Sequence, residues 1–268
     1  MGTPKPPAQA GLGRQWAPQA RHAAQPGLTS NVARMRVVFV HGAFVRDGTW
    51  WWAPAARLLS DRGIASAAVR LPSCGEAGVR PTGAGPGLAD DVAAVRAALD
   101  GGSEPAIAVA HSYGGMVVSE AAAGHPGVAA LAYISSFLPE PGQSLADLGT
   151  SSNPVPTRQH ADGSVSVIDA DLIPRFLHDV IDPELVSGAR ARLTPQSAAV
   201  FGTPVHAAAW RDLPACYLVC ADDRSTAPAL QREHAARASR VIELPAGHHP
   251  FLSRPDLVAA AIEQLSGG

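Results

Sequence analysis

From Met35 onward the chain alternates short apolar or β-branched runs with stretches of helical apolar spacing, and few architectures accept that order. It is the pattern of a parallel sheet whose strands are joined by crossover helices. Strands are predicted over residues 36–40, 65–70, 106–110, 129–135, 216–221 and 240–244. They make one α/β, doubly wound, mainly parallel sheet of about six strands with helices on both faces. Leu88, Val92, Val95 and Leu99 form one helical stripe that stops at Gly101-Gly102. A second helix spans 113–123 before Gly124. The last takes Ser253 as its N-cap, with Asp256 three residues on, and buries Leu257, Ala261 and Leu265.

Between Pro139 and Asp212 the alternation fails. Prolines stand at 139, 141, 154, 156, 174, 183, 195 and 204, leaving only short helical pieces near 172–180 and 183–193. A break of this length between buried strands predicts a helical lid or cap over 139–212, inserted into a core formed by 35–138 and 213–268. Residues 1–34 carry Pro4, Pro6, Pro7, Pro18 and Pro26 with little apolar clustering, and are expected to be a disordered, dispensable tail.

Charge removes several partners. The 268 residues hold 21 basic and 23 acidic side chains, and no dense basic run offers a footprint for nucleic acid or an anionic membrane. The only lysine is Lys5, in the tail, so Schiff-base chemistry and a phosphate-binding P-loop are excluded. Cys74, Cys216 and Cys220 are too few and scattered for a disulfide framework or a zinc site, which suits a reducing cytoplasm. No apolar run reaches the roughly 18 residues of a bilayer span. No cofactor or metal is expected.

The sharpest motif is Ala106-Ile-Ala-Val-Ala-His-Ser-Tyr-Gly-Gly, a buried strand entering a tight turn and then a helix. Ser112 sits where strand becomes helix, the position of a nucleophile elbow, with Ala110 and Gly114 as the small neighbours that turn requires. A serine in such a turn can also be a simple N-cap. As a nucleophile it needs a histidine oriented by a carboxylate, both from the ends of later strands. Asp222 and Asp223 follow the fifth strand, and His248 and His249 follow the sixth, so all fall on one sheet edge. His22, His125, His160, His178, His206 and His234 are read as surface or packing residues, and His111 as buried beneath the turn.

Charge developing on a carbonyl oxygen needs preorganised donors. The backbone N–H of Tyr113 at the helix start is one, and that of Ala43 in His41-Gly42-Ala43-Phe44 the other, with Phe44 in reserve. His41 is expected to hold that loop, and Trp50-Trp51-Trp52 to divide between core and pocket mouth. Phe44, Phe137, Leu138, Phe176, Phe201 and Trp210 are the expected apolar pocket walls.

Taken together, HGAFVRDGTWWW, AHSYGG, YLVCADDRSTAPALQ and GHHPFLSRP resemble the α/β-hydrolase superfamily, in the branch of bacterial esterases, plant methylesterases and hydroxynitrile lyases. The resemblance runs from about Val37 to the C-terminus. It implies the α/β-hydrolase fold, with Asp223 as the acid and His248 as the base. Hydroxynitrile lyases of this branch place threonine at Gly42 and lysine directly after the catalytic histidine, where this chain has His249. The departure implies an esterase rather than a lyase of that mechanism.

The leading expectation is a serine hydrolase of small to medium hydrophobic carboxylic esters, its partner a small-molecule ester. The same triad could serve a thioesterase, lactonase or acyl transferase, and the same fold a non-catalytic ligand-binding protein. A homodimer is left open.

Overall fold

The computed structural model describes residues 1–2, 35–149 and 155–266, so the expected tail over 3–34 lies outside the described residues. From Met35 the order of strands and α-helices is β1 (Arg36–Val40), α1 (Gly48–Ser60), β2 (Ser66–Ala68), α2 (Leu88–Asp100), β3 (Ala106–His111), α3 (Gly114–Ala121), β4 (Val128–Ile134), α4 (Leu145–Leu148), β5 (Thr157–Gln159), β6 (Val165–Val167), α5 (Asp169–Asp171), α6 (Pro183–Arg190), α7 (Ala199–Gly202), β7 (Ala215–Cys220), α8 (Pro228–Ala235), β8 (Arg240–Leu244), α9 (Pro250–Ser253) and α10 (Pro255–Ser266). The main sheet has six strands in the order β2-β1-β3-β4-β7-β8, and every pairing in it is parallel. This is the fold expected from the alternating runs.

Side chains alternate across a strand, and both faces of this sheet are covered. Val38, Val40, Ala108, Ala110, Leu131, Tyr133, Tyr217 and Val219 pack in one core layer with α2 and α3. Val37, Phe39, Ile107, Val109, Ala132, Ile134, Leu218 and Cys220 pack in the other, beside Trp51, Trp52, Phe251 and Ile262. The two layers explain why the central strands read as unbroken apolar runs. Phe39 stacks on Trp52 with centroids 4.4 Å apart, so that tryptophan is core.

Three expected elements differ. Ser253 is no N-cap: it closes α9, Arg254 leaves the helical region at φ −138°, and α10 starts at Pro255, whose missing N–H suits a first turn. The segment 139–212 is not wholly helical, because β5 and β6 pair antiparallel across a turn containing Gly163 at φ +80°. The Asp162-Gly163 step and the alternation Val165, Val167 are hairpin signals that the prolines overshadowed. Over 172–180, where a helix is expected, there is a π-helical turn at Leu172–Phe176 directly after α5, and Leu177 N–H reaches Leu172 O at 3.1 Å. Pro174 has no N–H with which to continue an α-helical ladder.

Among the described residues, 139–212 supplies no strand to the main sheet, and no helix is long and apolar enough to cross a membrane.

Candidate active site

Ser112 ends the β3 run at φ +50°, a left-handed conformation that costs a non-glycine residue free energy and persists only where its surroundings enforce it. Close packing enforces it here. A Cβ on Gly114 would lie 2.7 Å from Val40 O, and one on Gly115 would lie 2.3 Å from both Phe137 O and Ser136 Oγ. Ser136 Oγ also donates to Ser112 O at 2.6 Å. A Cβ on Gly42 would stand 2.9 Å from Ser112 Cβ, so a glycine lets the loop after β1 close over the elbow.

The histidine and carboxylate candidates lie at the neighbouring strand ends, after β8 and β7. His248 Nδ1–H donates to Asp223 Oδ2 at 2.8 Å. Asp222 is exposed whereas Asp223 is buried, so the two adjacent acids are separated by environment. Asp223 Oδ1 accepts the N–H groups of Ser225 at 2.7 Å and Thr226 at 3.0 Å, and Oδ2 accepts Gln231 Nε2 at 2.9 Å and the Ser135 hydroxyl. Burial pushes the Asp223 carboxyl up, but the charge and hydrogen bond of His248 and the hydroxyl of Ser135 outweigh it and hold the group below its usual range. It is a carboxylate with five donors.

Ser135 and Gln231 escaped the sequence reading. Ser135 follows β4 at φ +42°, on the same sheet edge as Ser112, and that placement was the available signal. Gln231, on α8, closes the stretch YLVCADDRSTAPALQ, but nothing in that stretch marks it as a partner of Asp223. His111 donates from Nε2 to His248 O at 2.8 Å, and burial, then the nearby His248 and His249, push its pKa well down. His249 donates from Nδ1 to Phe176 O at 3.0 Å, and burial lowers its pKa to about 3. Both rings therefore act as neutral props around His248. Gly247 N–H binds Asp179 Oδ2 at 2.6 Å, tying the base loop to the segment before α6.

His41 faces acceptors through both ring nitrogens, Gly42 O at 2.9 Å and Glu76 Oε2 at 2.8 Å. It holds the loop after β1, as expected. In that loop the Phe44 N–H donates to Gln196 Oε1 at 3.2 Å and is engaged, whereas the amides of Ala43 and Tyr113 donate to no described residue.

A cavity of about 240 Å³ opens over Ser112 and His248, with Ala43, Tyr113 and His249 also in its lining. Of the expected walls, Phe44, Phe137, Phe176 and Phe201 line it, and Phe44 stacks on Phe201 with centroids 5.5 Å apart. Trp51 lines it as well. Leu138 and Trp210 do not. Leu138 is fully buried in the core, while Trp210 is turned aside by its Nε1–H donating to Pro139 O at 2.8 Å.

Residues 37–261 match the model of the alpha/beta hydrolase family. The chain belongs to that family. Among curated proteins, this hydrolase-family chain is 31% identical over 218 residues to alpha/beta hydrolase nvfD of Aspergillus novofumigatus, covering 75% of this chain and 84% of that one. It is 25% identical over 242 residues to the probable hydrolase R7 of a Phoma species, covering 86% and 98%. Its fold is similar to that of a pyrethroid hydrolase from Sphingobium faniae, with TM-score 0.74 at 24% identity over 87% of this chain and 97% of the other. A methylesterase from Arabidopsis shares the fold with TM-score 0.69 at 21% identity, covering 86% and 98%.

Proposed function

We propose that this alpha/beta hydrolase cleaves carboxylic esters through Ser112, His248 and Asp223. The observation that carries the reading is the buried Asp223 carboxylate bound to His248 Nδ1–H, which leaves the Nε2 lone pair for the cavity that Ser112 also lines. In this mechanism His248 Nε2 takes the Ser112 proton as Oγ attacks the ester carbonyl, and the imidazolium is stabilised by Asp223. The amides of Ala43 and Tyr113 bind the oxyanion. His248 then protonates the leaving alcohol, and water attacks the acyl-enzyme under the same base to release the acid.

The four phenylalanine walls and a volume of about 240 Å³ favour a small to medium hydrophobic ester. The test is hydrolysis of p-nitrophenyl esters of increasing acyl length, beside matched thioesters and lactones, by the wild type and by Ser112→Ala. Ester turnover that falls by at least about three orders of magnitude in the variant supports the reading. Turnover equal in both proteins overturns it, and a clear preference for thioesters or lactones would replace the bond while keeping the triad.

A further inference from the structure

Phe44 is a bulky residue held at φ +64°, next to the amide assigned to the oxyanion. A conformation of that kind relaxes unless neighbours fix both sides of the peptide. Here both are fixed by residues from the stretch between β4 and β7: Phe44 N–H donates to Gln196 Oε1 at 3.2 Å, and Phe44 O accepts Thr194 N–H at 2.9 Å. Gln196 is itself immobile. It is fully buried, and its backbone exchanges two hydrogen bonds of 2.8 Å with Val165 beside β6.

The other end of the Gln196 amide leads to the second oxyanion donor. Nε2 donates to Ser73 Oγ at 3.0 Å, Ser73 Oγ donates to Asp91 Oδ2 at 2.5 Å, and the same oxygen accepts the hydroxyl of Tyr113 at 2.7 Å. Ser73 N–H completes the Asp91 carboxylate through Oδ1 at 2.9 Å. Oε1 of Gln196 meets a donor and Nε2 meets an acceptor, so its amide orientation is set at both ends. Asp91, Ser73, Gln196 and Tyr113 are all fully buried.

We propose that Gln196 is a positioning residue for the oxyanion hole, setting the distance between the Ala43 and Tyr113 amides through Phe44 on one side and Ser73–Asp91–Tyr113 on the other. The segment that walls the cavity thereby also completes the catalytic frame. The inference rests on the ester-hydrolase reading, because it assigns the two amides their task. Misplacing a reacting geometry by about 1 Å can cost about 100-fold, so loss of the bridge acts on the transition state more than on substrate binding.

The experiment uses the full chain and an ester that the wild type turns over. Gln196→Met keeps length and removes both hydrogen bonds. It should lower kcat by roughly 10- to 100-fold with KM within about threefold, and weaken a trifluoromethyl ketone, which forms a tetrahedral oxyanion adduct, by a similar factor. Tyr113→Phe cuts the far end of the same chain, so the double variant should lose less than the product of the two single losses. Should the Met variant fail to fold, Gln196→Glu carries the test. Its ionised carboxylate repels the oxyanion and cannot donate to Ser73, whereas its protonated form restores both hydrogen bonds, so its activity relative to wild type should rise as pH falls from 8 to 5. Unchanged kcat and ketone affinity in the Met variant, or a flat activity ratio in the Glu variant, would overturn the proposal. Failure of the underlying reading is recognised separately, by wild-type ester turnover that survives Ser112→Ala.

Discussion

Ser135 and Asp223, 88 residues apart in sequence, share a buried hydrogen bond on the carboxylate oxygen that also holds His248. The Ser135 hydroxyl lies 3.1 Å from His248 Nδ1 as well, so one oxygen touches both the proposed acid and the proposed base. Ser135→Ala removes one of five donors from a carboxylate that burial already disfavours. A hydrogen bond to a charged group contributes about 1.5–3 kcal/mol, so kcat/KM should fall roughly 10- to 150-fold. Steady-state kinetics on the ester panel reads the loss.

The glycines that close around the elbow give a second prediction. Gly115→Ala puts a methyl 2.3 Å from the Phe137 carbonyl oxygen, and backbone has no rotamer with which to yield. Overpacking of this kind costs about 1–3 kcal/mol. Chemical denaturation should show a loss at or above that range, with weaker activity because α3 and Tyr113 shift. Gly42→Ala meets Ser112 Cβ at 2.9 Å and should cost kcat more than stability.

Much of this was legible beforehand, for physical reasons that differ by element. The strand β1 is legible to the residue because it is a buried apolar run, and β8, largely exposed at the sheet edge, because Ser239 and Pro245 bound it. The nucleophile-elbow motif marked Ser112, the rule that open α/β sheets carry their sites at the carboxyl ends of strands narrowed the partners to Asp222 or Asp223 and His248 or His249, and the family resemblance selected Asp223 and His248. What escaped were groups whose role exists only in three dimensions. Gln196 sits in no motif and Gln231 only closes one, and each matters because a backbone amide or carboxylate folds against it. Leu138 and Trp210 were misplaced because apolar character alone does not say which side of a strand exit a residue faces.

Acid should destabilise the fold more steeply than its carboxylates alone would. His249 falls from the usual 6.5 to about 3 and His234 to about 4, both chiefly by burial, and His111 is pushed down well below its usual value in the same way. Below pH 6.5 the unfolded chain binds protons at these rings while the folded chain does not, so stability falls as pH drops. Each neutral histidine contributes about 1.4 kcal/mol per pH unit until its folded pKa is reached. Asp223, held low, adds its own loss only under stronger acid, as pH falls through its depressed folded pKa. Unfolding free energies from denaturant titrations between pH 7 and pH 4 should decline by several kcal/mol, whereas a flat profile would mean that these rings are protonated in the folded state.

Cavity shape should set acyl preference. Phe201→Ala opens the wall where it stacks on Phe44, and each methylene accommodated is worth about 1–3 kcal/mol, so kcat/KM for long-chain over short-chain esters should rise about tenfold or more. Leu138→Ala, buried behind Phe137, should instead cost about 2–5 kcal/mol of stability and leave the chain-length preference unchanged. A panel of p-nitrophenyl esters with thermal melts on the same samples separates the two.

The most direct test is intact-protein mass spectrometry after treatment with a fluorophosphonate, which reacts only with a serine made nucleophilic by its surroundings. The wild type should take up one adduct, mapped by peptide digestion to Ser112, with His248→Ala labelled at least about 100-fold more slowly and Ser112→Ala not at all. Equal labelling of the wild type and Ser112→Ala, or no adduct on a folded wild type, would contradict the account.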